Sequence, residues 1–235
     1  MRLSKGNSVL RRTAAEVKRY RVLIRVLPIA MSIAVVTLAL VYTITTMYTK
    51  FGSFTVTVNK YDNVAHALTL SETPDFKDMT SRLNAASSQE ITNITVKALP
   101  LDLDNINGSH NGDNYMAYTF YCHNAGTESV TYEYELFIAN MTLEIEDAVR
   151  IRLYVNGDYE DYAKTRNDGQ GAEPGTTEFL TEETILRKEL HLTPGEYTKF
   201  TIVVWLEGDD PECVDTILGG VFKIDMNMSV LGESE

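Results

Sequence analysis

The chain reads as an all-β domain, an antiparallel β-sandwich, carried behind one N-terminal transmembrane helix. Three observations lead there. Residues Val26 to Tyr48 run 23 positions without a charged side chain. Beyond them Thr, Val, Ile, Tyr and Phe recur in short alternating runs bounded by Gly, Asn, Asp and Pro, the pattern of half-buried strands. No long amphipathic helix pattern interrupts those runs, which leaves sheet-on-sheet packing as the layer architecture.

The uncharged run comes first. At ~1.5 Å rise per residue it makes a helix ~34 Å long, enough to cross a ~30 Å hydrocarbon core with modest tilt. Pro28 sits near its start, where proline is tolerated, and Tyr42 and Tyr48 fall near the outer interface. Before it stand Arg2, Lys5, Arg11, Arg12, Lys18, Arg19, Arg21 and Arg25 against a single acid, Glu16. Positive flanks stay on the cytoplasmic side. The expected organisation is therefore a basic cytoplasmic segment over 1–21, a transmembrane signal anchor over 22–49 and an extracytoplasmic domain over 50–235. A cleaved signal peptide is the alternative. Its apolar core is typically shorter, and the exit Thr46-Met47-Tyr48-Thr49-Lys50-Phe51-Gly52-Ser53 lacks an A-x-A-like site.

The strands follow in order. Ser53 to Val58 alternates strictly and opens the sheet, followed by His66 to Leu70 and Ile91 to Val96. Tyr115 to Cys122 (YMAYTFYC) and Val130 to Ile138 (VTYEYELFI) form the next pair. Val149 to Val155 meets Tyr159 to Lys164 across Asn156-Gly157, a strong hairpin signal because both residues tolerate positive φ. Ile185 to Leu192 and Tyr197 to Trp205 flank a Pro194-Gly195 turn, and Gly220 to Val230 closes the domain. Asp75 to Ala86 is mildly helical in pattern, and Arg166 to Gly175 is a loop by composition.

Charge divides the chain. Residues 1–50 carry nine Lys/Arg against one acid, and 51–235 carry twelve against thirty-two, so +8 and −20 make up the net −12. A domain at −20 argues against nucleic acid as a partner, since phosphate binding rests on Lys/Arg. It suits a solvated surface outside the cell, or cation binding.

Cys122 and Cys213 are the whole thiol inventory. Outside the cytoplasm they either bridge, adding ~4–5 kcal/mol at most in the chain-entropy model, or stay as two free thiols. A thiol enzyme is not indicated, because His123 adjoins Cys122 and strand neighbours point to opposite faces. The four histidines are scattered without H-x-x-x-H or CxxC partners. G-x-S-x-G, phosphate-loop and G-x-G-x-x-G patterns are absent. The reading is of a protein that is not an enzyme.

Two acidic loops stand out. Trp205 to Asp215 (WLEGDDPECVD) packs five acids into nine residues. Glu207, Asp209, Asp210 and Asp215 are its candidate calcium ligands, the one cofactor the chain suggests. The competing reading is a solvated turn broken at Asp210-Pro211. Asp102 to Gly108 fails the EF-hand template, with Ile at the fifth position and Gly at the seventh. Asn-x-Ser/Thr triplets at Asn93, Asn107, Asn140 and Asn227 are near the number chance supplies, and Asn227 is mid-strand.

Phe51-x-x-Phe54-Thr55-Val56-Thr57-Val58 behind the apolar segment, Ala117-Tyr118-Thr119-Phe120 leading to Asn124-Ala125-Gly126, and Pro194-Gly195-Glu196 opening the strand to Trp205-Leu206-Glu207-Gly208 form a set. In these the chain resembles the camelysin/TasA-type surface proteins of Gram-positive bacteria. It is more similar still to membrane-anchored proteins of that phylum sharing the Trp-Leu-Glu-Gly-Asp-Asp-Pro block. The resemblance implies a jelly-roll-like β-sandwich at the cell surface, and matrix or filament building in the better-known members. The chain departs from that pattern in lacking the small-residue cleavage site after the apolar segment. The expected function is a membrane-anchored structural or interaction module whose partners are the lipid bilayer and other copies or surface proteins. The alternative is a released, fibre-forming matrix subunit.

Overall fold

A computed structural model describes residues 14–48, 53–59, 67–86 and 91–231. It divides into two compact units, Met1–Met47 and Tyr48–Glu235. The first holds helix α1, Ala14–Tyr48, with Pro28 inside it. Residues Ile24–Tyr42 have a mean hydropathy of 2.3 and none of that window is buried, so one N-terminal helix is long and apolar enough to span a membrane.

The second unit is all-β. Its strands are β1 (Ser53–Val58), β2 (Leu68–Ser71), β3 (Arg82–Asn84), β4 (Gly108–Ser109), β5 (Tyr115–Asn124), β6 (Val130–Met141), β7 (Val149–Val155), β8 (Asp158–Ala163), β9 (Thr177–Glu178), β10 (Thr184–Leu192), β11 (Tyr197–Leu206) and β12 (Phe222–Val230). They form a five-stranded sheet ordered β10-β6-β12-β1-β3 and a seven-stranded one ordered β2-β5-β11-β7-β8-β9, with β4 also on β5. Pairing is antiparallel except for β1 with β12 and β8 with β9. The first strand of the domain thus lies parallel to its last, Ser53 opposite Lys223 and Val58 opposite Met228.

Alternation decides which side chains point between the sheets. Phe54 and Val56, Tyr118 and Phe120, Tyr134 and Leu136, Phe200 and Ile202, and Ile224 and Met226 share one buried cluster. Phe54 meets Tyr118 at 5.8 Å and Tyr134 meets Phe200 at 5.2 Å between ring centroids, so aromatic pairs join the two sheets. The β7–β8 turn is as the sequence implies, with Asn156 at φ 53° and Gly157 at φ 98°, a hairpin geometry that needs positive φ at both residues.

Two expected elements are corrected. Residues 75–86 are not helical. They run through turns into β3, where Leu83 pairs with Val56 and packs on the core. Phe76 at φ 50° breaks any helix there. Residues 91–96 are not a strand beyond one bridge, Ile94 to Glu207, before a 3-10 turn at Val96–Ala98. The notional strands at 66–70 and 220–230 begin later, and position 66 lies outside the described residues.

Candidate functional site

The seven-stranded sheet carries its chemistry on the face turned away from the shared core. Residues 91–107 cross that face in two 3-10 turns, Val96–Ala98 and Leu103–Asn105. Beneath them Leu99, Leu103, Ala117, Tyr154, Val203 and Trp205 form a second buried cluster. The segment is tied by polar contacts too: Asp104 accepts from Thr201 Oγ1 at 2.7 Å and Lys199 Nζ at 2.5 Å, and Tyr121 donates to Asn107 at 2.6 Å.

At one end of this face the predicted acidic loop begins. Trp205 is 1 % exposed, and its Nε1 donates to Glu207 Oε2 at 2.9 Å. The same oxygen accepts the Val96 backbone N–H at 3.0 Å, so Glu207 clamps the crossing segment to the sheet. Two arginines from β7 lie alongside. Arg152 binds Asp161 with both oxygens, at 2.6 and 2.8 Å, beneath the Tyr159 ring at 4.1 Å. That bidentate bond to Asp161 raises the Arg152 pKa against the opposing effect of burial. Arg150 is buried against Asp210, with Glu173 at 3.9 Å. Together Arg150, Asp161, Glu173, Trp205, Glu207 and Asp209 line a cleft of ≈ 390 Å³. Across the same loop an apolar pocket of ≈ 540 Å³ is lined by Ile91, Ile145, Leu206, Cys213, Ile217 and Leu218.

The four candidate calcium ligands do not converge. Glu207 is committed to Trp205 and Val96, and Asp210 to Arg150 and to the Glu212 backbone N–H at 2.8 Å. Asp209 is exposed, and Asp215 is exposed at the start of a 3-10 turn, Asp215–Ile217. Among the described residues no group of three or more His, Cys, Asp or Glu is arranged to hold a metal ion. The buried Asp210 is paired with Arg150, and the buried Glu207 is held by neutral N–H donors. Cys122 and Cys213 are both free thiols. Cys122 is wholly enclosed, and burial pushes its pKa up to about 12. The Cys213 thiol accepts from Asn93 Nδ2 at 3.5 Å.

A second charged cluster had no local sequence signal. Glu146 and Asp147 occupy a buried 3-10 turn, Ile145–Asp147, after Leu143 and Glu144 at positive φ. Lys164, just past β8, donates to Asp147 Oδ1 at 2.8 Å and Glu146 Oε1 at 3.2 Å. Burial works against the lysine charge, but its bonds to Asp147 and Glu146 prevail and raise its pKa. Asn167 Nδ2 donates to the other Asp147 oxygen at 2.9 Å, and Glu146 Oε2 is buried without a hydrogen-bond partner. The nearest sequence pattern to it is the alternation of arginine in Val149-Arg150-Ile151-Arg152-Leu153 on the neighbouring strand.

No family model and no curated protein matches this chain. Among solved structures it is similar to AvmM, which catalyses macrocyclisation in alchivemycin A biosynthesis, at 12% identity and a TM-score of 0.23 over 52% of this chain and 82% of that one. It is also similar to the β-glucosidase of Kluyveromyces marxianus in complex with glucose, at 15% identity and a TM-score of 0.23. That likeness covers 68% of this chain but spans 15% of the glucosidase. At such TM-scores neither likeness bears on activity.

Proposed function

We propose that this is a single-pass membrane protein, N-terminus in the cytoplasm, displaying a jelly-roll-like β-sandwich outside the cell as a structural or interaction module without catalytic turnover. The observation that carries this reading is the apolar stretch Ile24–Tyr42, none of which is buried against protein. A helix hydrophobic all round and unburied needs lipid. The basic residues before it support the orientation. Two sheets sharing one aromatic core support the sandwich. The resemblance to camelysin/TasA-type surface proteins, and of the Trp205–Pro211 block to membrane-anchored proteins of the same phylum, supports placement at a Gram-positive cell surface with other copies or surface proteins as binding partners. The −20 charge of residues 51–235 argues against nucleic acid.

Protease added to intact cells is expected to degrade 51–235 and leave a small membrane-bound stub. Full protection of the domain would overturn the orientation. N-terminal sequencing separates the anchor from the released, fibre-forming alternative: an intact basic start means anchor, and a start near Phe51 means release.

A further inference from the structure

The cluster at the end of β8 has the parts of a self-modification site. Lys164 supplies a primary amine and Asp147 a carboxyl whose Oδ1 lies 2.8 Å from it. Asn167 holds Oδ2 from the other side at 2.9 Å. Glu146 touches the amine through Oε1 at 3.2 Å, and its Oε2 is buried without a partner. The carboxylates are 6 % and 10 % exposed and the lysine 22 %. Two enclosed carboxylates face one ammonium, so the cluster carries a surplus negative charge in a poorly solvated place.

We propose that Lys164 and Asp147 condense within the folded domain to an isopeptide bond, with Glu146 moving the protons. Asp147 Oδ1 takes one proton from the ammonium it touches, which turns the carboxyl into its acid form. The freed Nζ lone pair attacks Asp147 Cγ while Glu146 takes a second proton from the nitrogen. The tetrahedral centre that results bears an oxygen facing the Asn167 amide, a donor placed to stabilise developing charge there. One N–C bond forms and one C–O bond breaks. Glu146 returns its proton to the departing oxygen, which leaves as water. Of the three protons on the ammonium, two leave in that water and one stays on the amide nitrogen. No co-reactant is consumed. Condensation is unfavourable for separate molecules in water, and held groups offset that through effective molarities of about 10⁵ M or more. The product replaces a buried carboxylate and ammonium by a neutral amide, whose remaining N–H is a donor for the ionised Glu146. The crosslink joins positions 17 apart, across the β7–β8 hairpin.

Intact mass and peptide mapping of the purified full chain test this. The wild-type protein, folded and then denatured, is expected to weigh about 18 Da less than its unmodified form and to yield one branched peptide joining Asp147 to Lys164. Lys164→Arg keeps the positive charge but lacks a primary amine, and is expected to show neither. Glu146→Gln is expected to slow the water loss about a hundredfold, the scale of general acid–base catalysis. Two linear, unmodified peptides from folded wild-type protein overturn the proposal. So does a water loss that persists in Lys164→Arg, because that marks an aspartyl succinimide.

Discussion

The outward faces of the two sheets are built on opposite plans. On the five-stranded sheet β6 and β12 alternate buried and half-buried positions along most of their length, and the outer row is Thr131, Glu133, Glu135 and Phe137 on β6 and Lys223, Asp225, Asn227 and Ser229 on β12. On the seven-stranded sheet nearly every position of β5, β7 and β11 is buried, because residues 91–107 cover the outer face. The first plan lets water solvate the polar side chains. The second puts Trp205, Arg150 and Arg152 where water does not reach, so each must find its partner in the protein. A free outer face tolerates change, whereas a covered one couples distant segments of the chain.

The sharpest way to break that comparison is at Trp205. Trp205→Ala removes the largest side chain of the second cluster and leaves Glu207 short of a donor. A loss of about 3–5 kcal/mol is expected in denaturant unfolding. Thr57→Ala on the outer row of β1 should fall within about 0.5 kcal/mol of wild type. Similar losses at both sites would mean that the segment 91–107 does not cover the sheet.

Charge gives the next contrast. Asp210→Ala leaves Arg150 in a buried site with Glu173, at 3.9 Å, as its remaining carboxylate and the Val149 carbonyl at 3.1 Å. The expected cost is about 3 kcal/mol, at the lower end for a broken buried pair. On the open face Glu135→Ala removes the 2.6 Å partner of Arg187, whose side chain is half exposed. Little or no change in stability is expected there. An inert Asp210→Ala would mean that water already solvates Arg150.

How much was legible follows the same division. Val130 to Ile138 alternates so regularly that strand, face and core residues could all be read from it, because one side meets water and the other does not. Asn156-Gly157 was equally plain, since its chemistry is local. The covered face was not legible. Ile91 to Val96 has the residue types of a strand, and only its place over β11 decides that it crosses the sheet instead. Arg150 and Arg152 alternate as solvent-facing residues would. Their burial depends on Asp210 and Asp161, and Asp210 lies 60 residues away. The five acids of the Trp205 loop suggested a cation for the same reason: the neutralising arginine is distant in sequence. The Lys164–Asp147–Glu146 cluster is likewise made by tertiary placement alone.

The β7–β8 hairpin offers a smaller effect. Gly157 sits at φ 98° with only Asp104 Oδ2, 4.0 Å away, near its missing Cβ, so there is room for a side chain but not the backbone freedom. Gly157→Val should cost about 1 kcal/mol or more, by strain rather than by clash. Gly157→Asn, which tolerates positive φ, should recover most of it. If Asn fares no better than Val, crowding rather than φ is the constraint.

The smallest expected effect lies where the two sheets meet at their edges. Lys188 of β10 donates to Glu160 of β8 at 2.6 Å and to the Tyr162 hydroxyl at 2.9 Å. Hydrogen bonds from Lys188, then Thr177 and Tyr162, hold the Glu160 carboxyl down from 4.5 to about 2. A folded pKa below the unfolded one means that the folded state binds fewer protons. The stabilisation is therefore complete above pH 4.5 and is lost as pH falls toward 2. With 42 % of the Glu160 side chain exposed, solvent screens much of it, so the slope is shallow. Urea midpoints measured across that window should fall more steeply for wild type than for Glu160→Gln, and added salt should narrow the gap. Parallel profiles would show that the edge-to-edge tie carries no free energy, leaving the shared aromatic core to hold the sheets together.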